Sequence, residues 1–250
     1  MRAFSLDAPP DIAGCDALVH LAGESPVGIW TAAKKRRIRE SRILGTRRVA
    51  EAIAAASTKP EVLVSGSAIG FYGERGEEEL TEKAPHGSGF LSEVVQAWEG
   101  EAMKAGGEVR VVLMRTAVVL ARQGGALPLM ALPFRFGAGA QLGDGRQWMS
   151  WIHLEDAARL ALFAVENLDL RGPMNASAPW PVRNADFTRL LAARLRRPAF
   201  LRVPAFLMRA VLGDFSEEIL DSKRVLPAVA CEQGYGFQFP EIEGALKDLM

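Results

Sequence analysis

The chain has 250 residues, 49% hydrophobic and 24% charged, enough for one large globular domain or a domain with a smaller companion. Thirty basic and thirty acidic residues cancel, so no overall field draws in nucleic acid or an anionic membrane. Two cysteines, Cys15 and Cys231, make neither a disulfide framework nor a metal site; with no apolar run near the ~20 residues of a membrane span and no secretory leader, a soluble cytoplasmic protein is expected.

In chain order, Phe4 and Leu6 read as the tail of a strand that the prolines of residues 8–11 break. Residues 17–22 (ALVHLA) form a buried-strand run ending at Gly23. Thr31 can cap a helix running to about Ala56, with Ile38, Leu44 (or Ile43), Val49 and Ile53 along one side. Its remaining faces carry Lys34, Lys35, Arg36, Arg37, Arg39, Arg47 and Arg48. Without interleaved aromatics this reads as a solvated helix face.

Residues 61–73 (EVLVSGSAIGFYG) are the centre of the chain. Val62, Leu63 and Val64 are a β-branched run suited to a strand buried on both faces. The run then breaks into small residues from Ser65 to Gly70, which let another molecule approach the backbone. In a parallel sheet that position lies beyond a strand's carboxyl end, where ligands sit. Phe90, Val94, Trp98 and Ala102 recur every four residues and mark a helix from Gly89 to about Gly106. Residues 109–114 are a third buried strand, ending at Arg115 and Thr116. This alternation predicts an α/β fold with a doubly wound parallel sheet.

Residues 124–145, rich in glycine and proline, predict a long irregular segment, and residues 153–167 an amphipathic helix at whose start His153 reads as a cap or core contact rather than a base. From about Ala176 the texture changes. Asn184 can cap a helix to Leu195, residues 206–212 and 217–220 are short helices, residues 235–239 alternate like a strand, and residues 242–249 close with a helix. The expected division is residues 1–175 as the main domain and 176–250 as a small α+β domain.

Taken together, HLAGE (20–24), SRILGT (41–46), SGSAIGFYG (65–73), FLSEVVQAWE (90–99), RTAVVL (115–120), GDGRQWMSWIHLEDAARL (143–160), VPAFLMRAVLG (203–213) and GYGFQFPEIEGAL (234–246) span nearly the whole chain. In these segments it resembles the extended short-chain dehydrogenase/reductases, the NAD(P)-dependent epimerase/dehydratase superfamily, and within it the YfcH-like group. The resemblance implies a Rossmann-like domain, NADP or NAD as cofactor, and epimerase or oxidoreductase chemistry on a small, sugar-nucleotide-like substrate. It implies Leu21, Ala22, Gly23, Arg42, Ser65, Arg115, Thr116 and Val118 near the cofactor, with Ser67 as the serine that hydrogen-bonds a substrate oxygen. Arg135, Trp148 and Asn175 are implied for the substrate cleft, and no metal. In dimeric relatives the helix from Thr31 packs against its symmetry mate.

Two features depart from the family pattern. Its general acid is a tyrosine followed four residues later by a lysine, which lowers the tyrosine pKa. Here the matching positions are Phe90 and Val94, which leaves Tyr72 as the nearest proton donor, without an adjacent lysine. The glycine-rich turn that holds the pyrophosphate is also absent, so residues 17–22 match the family's fourth strand. Losing several such hydrogen bonds, ~1–3 kcal/mol each, predicts dinucleotide binding weaker by roughly two to six decades, and a ligand-binding or regulatory role is the alternative to turnover. The strand at 17–22 then becomes an edge, expected either to pair with another chain, as in a homodimer, or to be covered by residues 2–6.

Overall fold

A computed structural model describes residues 8–107 and 109–250. The first half comprises β1 (Ala17–His20), α1 (Ala32–Ala55), β2 (Val62–Ala68), a 3-10 turn (Ile69–Tyr72), β3 (Glu79–Leu80), α2 (Phe90–Met103), β4 (Arg110–Thr116) and β5 (Val118–Leu120). Then follow α3 (Leu127–Arg135), β6 (Ala140–Leu142), β7 (Trp148–Met149), β8 (Trp151–His153), α4 (Leu154–Glu166) and β9 (Gly172–Ala176). The remainder is β10 (Val182–Arg183), α5 (Asn184–Leu195), β11 (Leu201–Val203), α6 (Ala205–Leu212), α7 (Phe215–Leu220), β12 (Arg224–Val225), α8 (Ala228–Glu232) and α9 (Ile242–Leu249).

Four parallel strands in the order β1-β2-β4-β9 make the main sheet. Because side chains alternate along a strand, β2 and β4 feed two cores. Val62, Val64, Val112 and Met114 pack on Leu160, Ala161 and Ala164 of α4. Leu63, Val111 and Leu113 pack on Val49 and Ile53 of α1 and Ala102 of α2. Helices therefore cover both faces, which is why the β2 run is apolar without interruption. A third core joins Leu120, Leu127, Phe134 and Trp151 to Phe187, Leu191, Leu246 and Leu249, so the later helices α5 and α9 are anchored on elements from before residue 152.

Thr31 caps α1 as its side chain predicts, its Oγ1 accepting from Lys34 N at 3.2 Å. His153 caps α4, its Nδ1 accepting from Glu155 N at 3.1 Å, while its ring stacks on Phe239 at 3.9 Å. The basic face of α1 is largely spent on carboxylates: Lys34 on Glu24, Lys35 on Asp214, Arg39 on Glu93 and Arg47 on Glu101.

The structure corrects several expectations. β2 does not break at Ser65 but runs to Ala68, because β4 continues beside it and pairs Ser67 with Arg115 and Ala68 with Thr116. Residues 124–145 are not irregular: α3 forms there with Pro128 in its first turn, where proline is tolerated, and buries Leu127, Ala131 and Phe134. Residues 235–239 form no strand. Their amides are claimed by buried Asp156, which accepts from Gln238 N and Phe239 N at 2.8 Å and from the Tyr235 hydroxyl at 3.2 Å. Asn184 does not cap α5; its Oδ1 accepts from Leu142 N at 3.0 Å, and Arg183 holds the N-cap position. On α1, Leu44 is exposed while Thr46 takes the buried side.

Among the described residues β1 pairs with β2 alone, and Val19 is 48% exposed on it. The strand tail expected at Phe4 and Leu6, and the cover expected from residues 2–6, lie outside the described residues. Among the described residues no helix is long and apolar enough to cross a membrane.

Candidate functional site

Register sets three polar side chains in a row near the carboxyl ends of the strands: Ser67 on β2 faces Arg115 on β4, which faces Asn175 on β9. All three are buried. An arginine cannot lie in such a place without charged and hydrogen-bonding partners, and each is supplied. Glu99 on α2 accepts from Arg115 Nε at 2.8 Å and from its Nη2 at 2.9 Å, a bidentate pair. The Ser67 hydroxyl donates to the same carboxylate at 2.6 Å. Arg115 Nη1 donates to the Tyr72 hydroxyl at 3.0 Å, and Tyr72 donates to Asn175 Oδ1 at 2.7 Å. The guanidinium also stacks 3.5 Å from the Phe71 ring centre. Burial alone would lower the Arg115 pKa, but the hydrogen bonds and charge of Glu99 and Tyr72 raise it.

Asn175 extends the network to Glu82. Its backbone N donates to Glu82 Oε1 at 2.9 Å, and its Nδ2 to Leu226 O at 2.9 Å. Val229 N also donates to Glu82 Oε1, at 3.3 Å, whereas Glu82 Oε2 is buried with no partner. Burial pushes the Glu82 carboxyl and the Tyr72 phenol above their ordinary pKa values.

The residues implied at the cofactor fall into two sets. Leu21, Ala22 and Gly23 are exposed just beyond β1. Arg42 supports them from below: its Nη1 donates to Glu24 O at 2.8 Å, and its guanidinium lies 3.3 Å from where a Cβ on Gly23 would sit. Ser65 is buried with its hydroxyl on Gly66 O at 3.2 Å, Thr116 Oγ1 donates to Met114 O, and Val118 packs on the third core. The small residues of β2 serve the chain's own packing. A Cβ on Gly66 would lie 2.9 Å from Trp98 Cζ2, and one on Gly70 3.1 Å from Leu91 Cβ.

The residues implied for substrate do not share one place. Asn175 belongs to the buried row. Trp148 donates its indole N–H to Glu77 at 3.0 Å, and the guanidiniums of Arg183 and Arg224 lie 4.0 and 4.7 Å from its ring centre. Arg183 and Trp148 hold the Glu77 carboxyl down to about 2. Arg135 ends α3 and, with Arg122, Leu195 and Met250, lines a separate cavity of about 250 Å³. Phe90 packs edge-on against Trp30 at 5.3 Å and Val94 is fully buried, so neither family position carries a titrating group. Among the described residues no group of His, Cys, Asp or Glu is placed to hold a metal.

Glu82 and Glu99 were not singled out from the sequence. For Glu99 there was a signal: with Ser92 it is a polar residue on the stripe of α2 that Val95, Trp98 and Ala102 otherwise make apolar.

Known proteins share the sequence and fold of this chain. The model of the NAD dependent epimerase/dehydratase family covers residues 3–176, and a domain of unknown function (DUF1731) covers residues 203–249. The Bacillus subtilis epimerase family protein YfhF is 42% identical over 238 residues, 94% of this chain and 78% of that protein. The chloroplastic SDR39U1 homolog of Arabidopsis thaliana is 39% identical over 241 residues, 96% of this chain and 70% of its own. The crystal structure of human SDR39U1 with NADPH superposes with a TM-score of 0.90 at 35% identity, covering 94% of this chain and 82% of that one. With the sheet order, the family model over most of the chain and these relatives in agreement, the chain belongs to the NAD-dependent epimerase/dehydratase family.

Proposed function

We propose that this chain binds NADP(H) with the nicotinamide end over the carboxyl ends of β1, β2 and β4, and carries out epimerase- or oxidoreductase-type hydride transfer on a small, sugar-nucleotide-like substrate. The observation that carries the reading is the Ser67–Arg115–Asn175 row, fixed by Glu99 beneath the strand ends. The human relative crystallised with NADPH supports the choice of cofactor.

The residues present fit the nicotinamide end. Leu21, Ala22 and Gly23 present an exposed, small-residue edge held rigid from below by Arg42. They do not show a diphosphate grip: Thr31 already takes up an amide of the first turn of α1, the helix that follows β1. The dinucleotide, when bound, supplies or accepts the hydride. Ser67 has its proton committed to Glu99, so its oxygen is left to accept a hydrogen bond, which suits a substrate hydroxyl and the alcohol side of the reaction. Tyr72 both donates and accepts within the network and is wholly buried, so it holds Arg115 in place.

Phe90 and Val94 favour a second reading, a ligand-binding member without turnover. Titration with NADPH and NADH, followed by nicotinamide fluorescence, tests both. Saturation with NADPH ahead of NADH, and turnover of a member of a nucleotide-sugar panel, read as nicotinamide oxidation for a net oxidoreductase and as the epimeric sugar for a redox-neutral epimerase, is the expected result. Binding without either turnover selects the second reading. No saturation up to about 1 mM, an affinity of roughly 4 kcal/mol, overturns both.

A further inference from the structure

The chain is neutral overall, but its charge is not spread evenly. Between Asp186 and Asp214 it carries Arg189, Arg194, Arg196, Arg197, Arg202 and Arg209 and no acidic residue. Residues 117–143 likewise hold Arg122 and Arg135 and no acidic residue.

Folding brings these two segments together. β11 pairs with β6, Leu201 opposite Ala140, and the pair is only three residues long, so its ends lie within roughly 10 Å. Phe136 and Phe200 flank one end of it, and α6 leaves from the other. Phe136 is 80% exposed, Phe200 78%, Phe206 72% and Val211 61%. α6 buries only Met208 of its eight residues. Large exposed apolar side chains concentrated in this way mark an interaction surface. The surrounding cations differ from those of α1, which are mostly paired: among the described residues, Arg135, Arg196, Arg197, Arg202 and Arg209 are in no ion pair.

We propose that this face docks on an anionic lipid bilayer, with Phe200, Phe206 and Val211 entering the headgroup boundary and the arginines meeting lipid phosphates. Exposed apolar side chains in the same segments as unpaired cations match the two attractions that hold a peripheral protein at a membrane. A second copy of the chain fits less well. A two-fold contact would set one group of arginines against its duplicate, with no carboxylate within residues 187–213 to separate them.

The test is flotation of the full chain with phosphatidylcholine vesicles, with and without about one third phosphatidylglycerol. Binding is expected on the anionic vesicles only, falling as salt is raised. Arg202→Gln with Arg209→Gln should weaken it about thirty-fold, five-fold for each charge removed. Phe206→Ser should weaken it about ten-fold. Neither variant should move the thermal midpoint or the NADPH titration, because both alter exposed side chains distant in the chain from the buried row. No flotation, equal binding to neutral vesicles, or no effect of the substitutions overturns the proposal. So does a lipid-free dimer that Phe206→Ser disperses, since the face is then a contact between proteins.

Discussion

Glu99 and Glu82 are buried to the same extent, each 7% exposed, and they flank the same arginine, yet they are used in opposite ways. Glu99 has hydrogen bonds on both oxygens, from the Ser67 hydroxyl and from two nitrogens of Arg115. Glu82 has two backbone amides on one oxygen and nothing on the other, and its nearest tie to Arg115 is a 3.5 Å contact through its own carbonyl. Equal burial thus gives an anchor in one place and a carboxyl that burial pushes towards keeping its proton in the other. What separates them is the charge directly opposite, which is where substitution can break or sharpen the contrast.

The largest effect should come from Arg115. Arg115→Met leaves Glu99 buried without its counter-charge and removes a donor from Tyr72, and should cost about 3–5 kcal/mol in urea unfolding. Adding Glu99→Leu should restore most of that loss, because an apolar pair in place of a buried ion pair is often neutral. If the double variant is as unstable as the two single losses summed, the pair is not the anchor described. Gly66→Ala comes next. Its Cβ would lie 2.9 Å from the Trp98 ring, which is itself held by Thr46 at 2.7 Å, and overpacking of this kind costs about 1–3 kcal/mol. Tyr72→Phe should cost about 1–2 kcal/mol, since it strips a partner from both Arg115 and Asn175. A Tyr72→Phe chain with unchanged urea midpoint would show that the hydroxyl holds nothing.

The sheet was legible in the sequence because its signals are local. The β-branched run of β2, the four-residue spacing of Phe90, Val94, Trp98 and Ala102, and Thr31 before α1 each specify an element from neighbours in the chain. The polar row was only half legible. Ser67, Tyr72 and Arg115 lie in the family-like segments and Asn175 is implied by the resemblance alone, but what they do depends on Glu99 and Glu82, 32 residues from Ser67 and 93 from Asn175. The smallness of Gly66 and Gly70 reads from sequence as room for a ligand, and only the approach of Trp98 and Leu91 shows that the chain fills that room itself. Residues 235–239 alternate as a strand does, and a single buried Asp156 from 82 and 83 residues away takes the amides of Gln238 and Phe239 that a neighbouring strand would need. The basic apolar face escaped for a related reason: a net charge of zero averages over residues 187–213, where every charged side chain is an arginine.

Glu82→Gln should have the smallest effect and the clearest sign. Burial raises the folded-state pKa of this carboxyl above its ordinary value, so from that ordinary value upward the native state holds a proton that the unfolded chain has released. Stability from this group is therefore fully present in acid and is lost as pH rises through the folded value. The other groups that face it are Arg115, whose charge works against the shift, and Tyr72 and Cys231, both themselves pushed up in pKa by burial. Glutamine keeps an oxygen for the amides of Asn175 and Val229 and carries no charge to bury. Urea midpoints taken from about pH 5 to about pH 8 should show a flatter profile for the variant, with any gain confined to the neutral end. Glu99→Gln, which removes the counter-charge of Arg115, should lose stability at that same neutral end. If Glu82→Gln keeps the parent slope, or falls at neutral pH as Glu99→Gln does, then the two carboxylates are doing one job and the partnerless oxygen of Glu82 has no consequence.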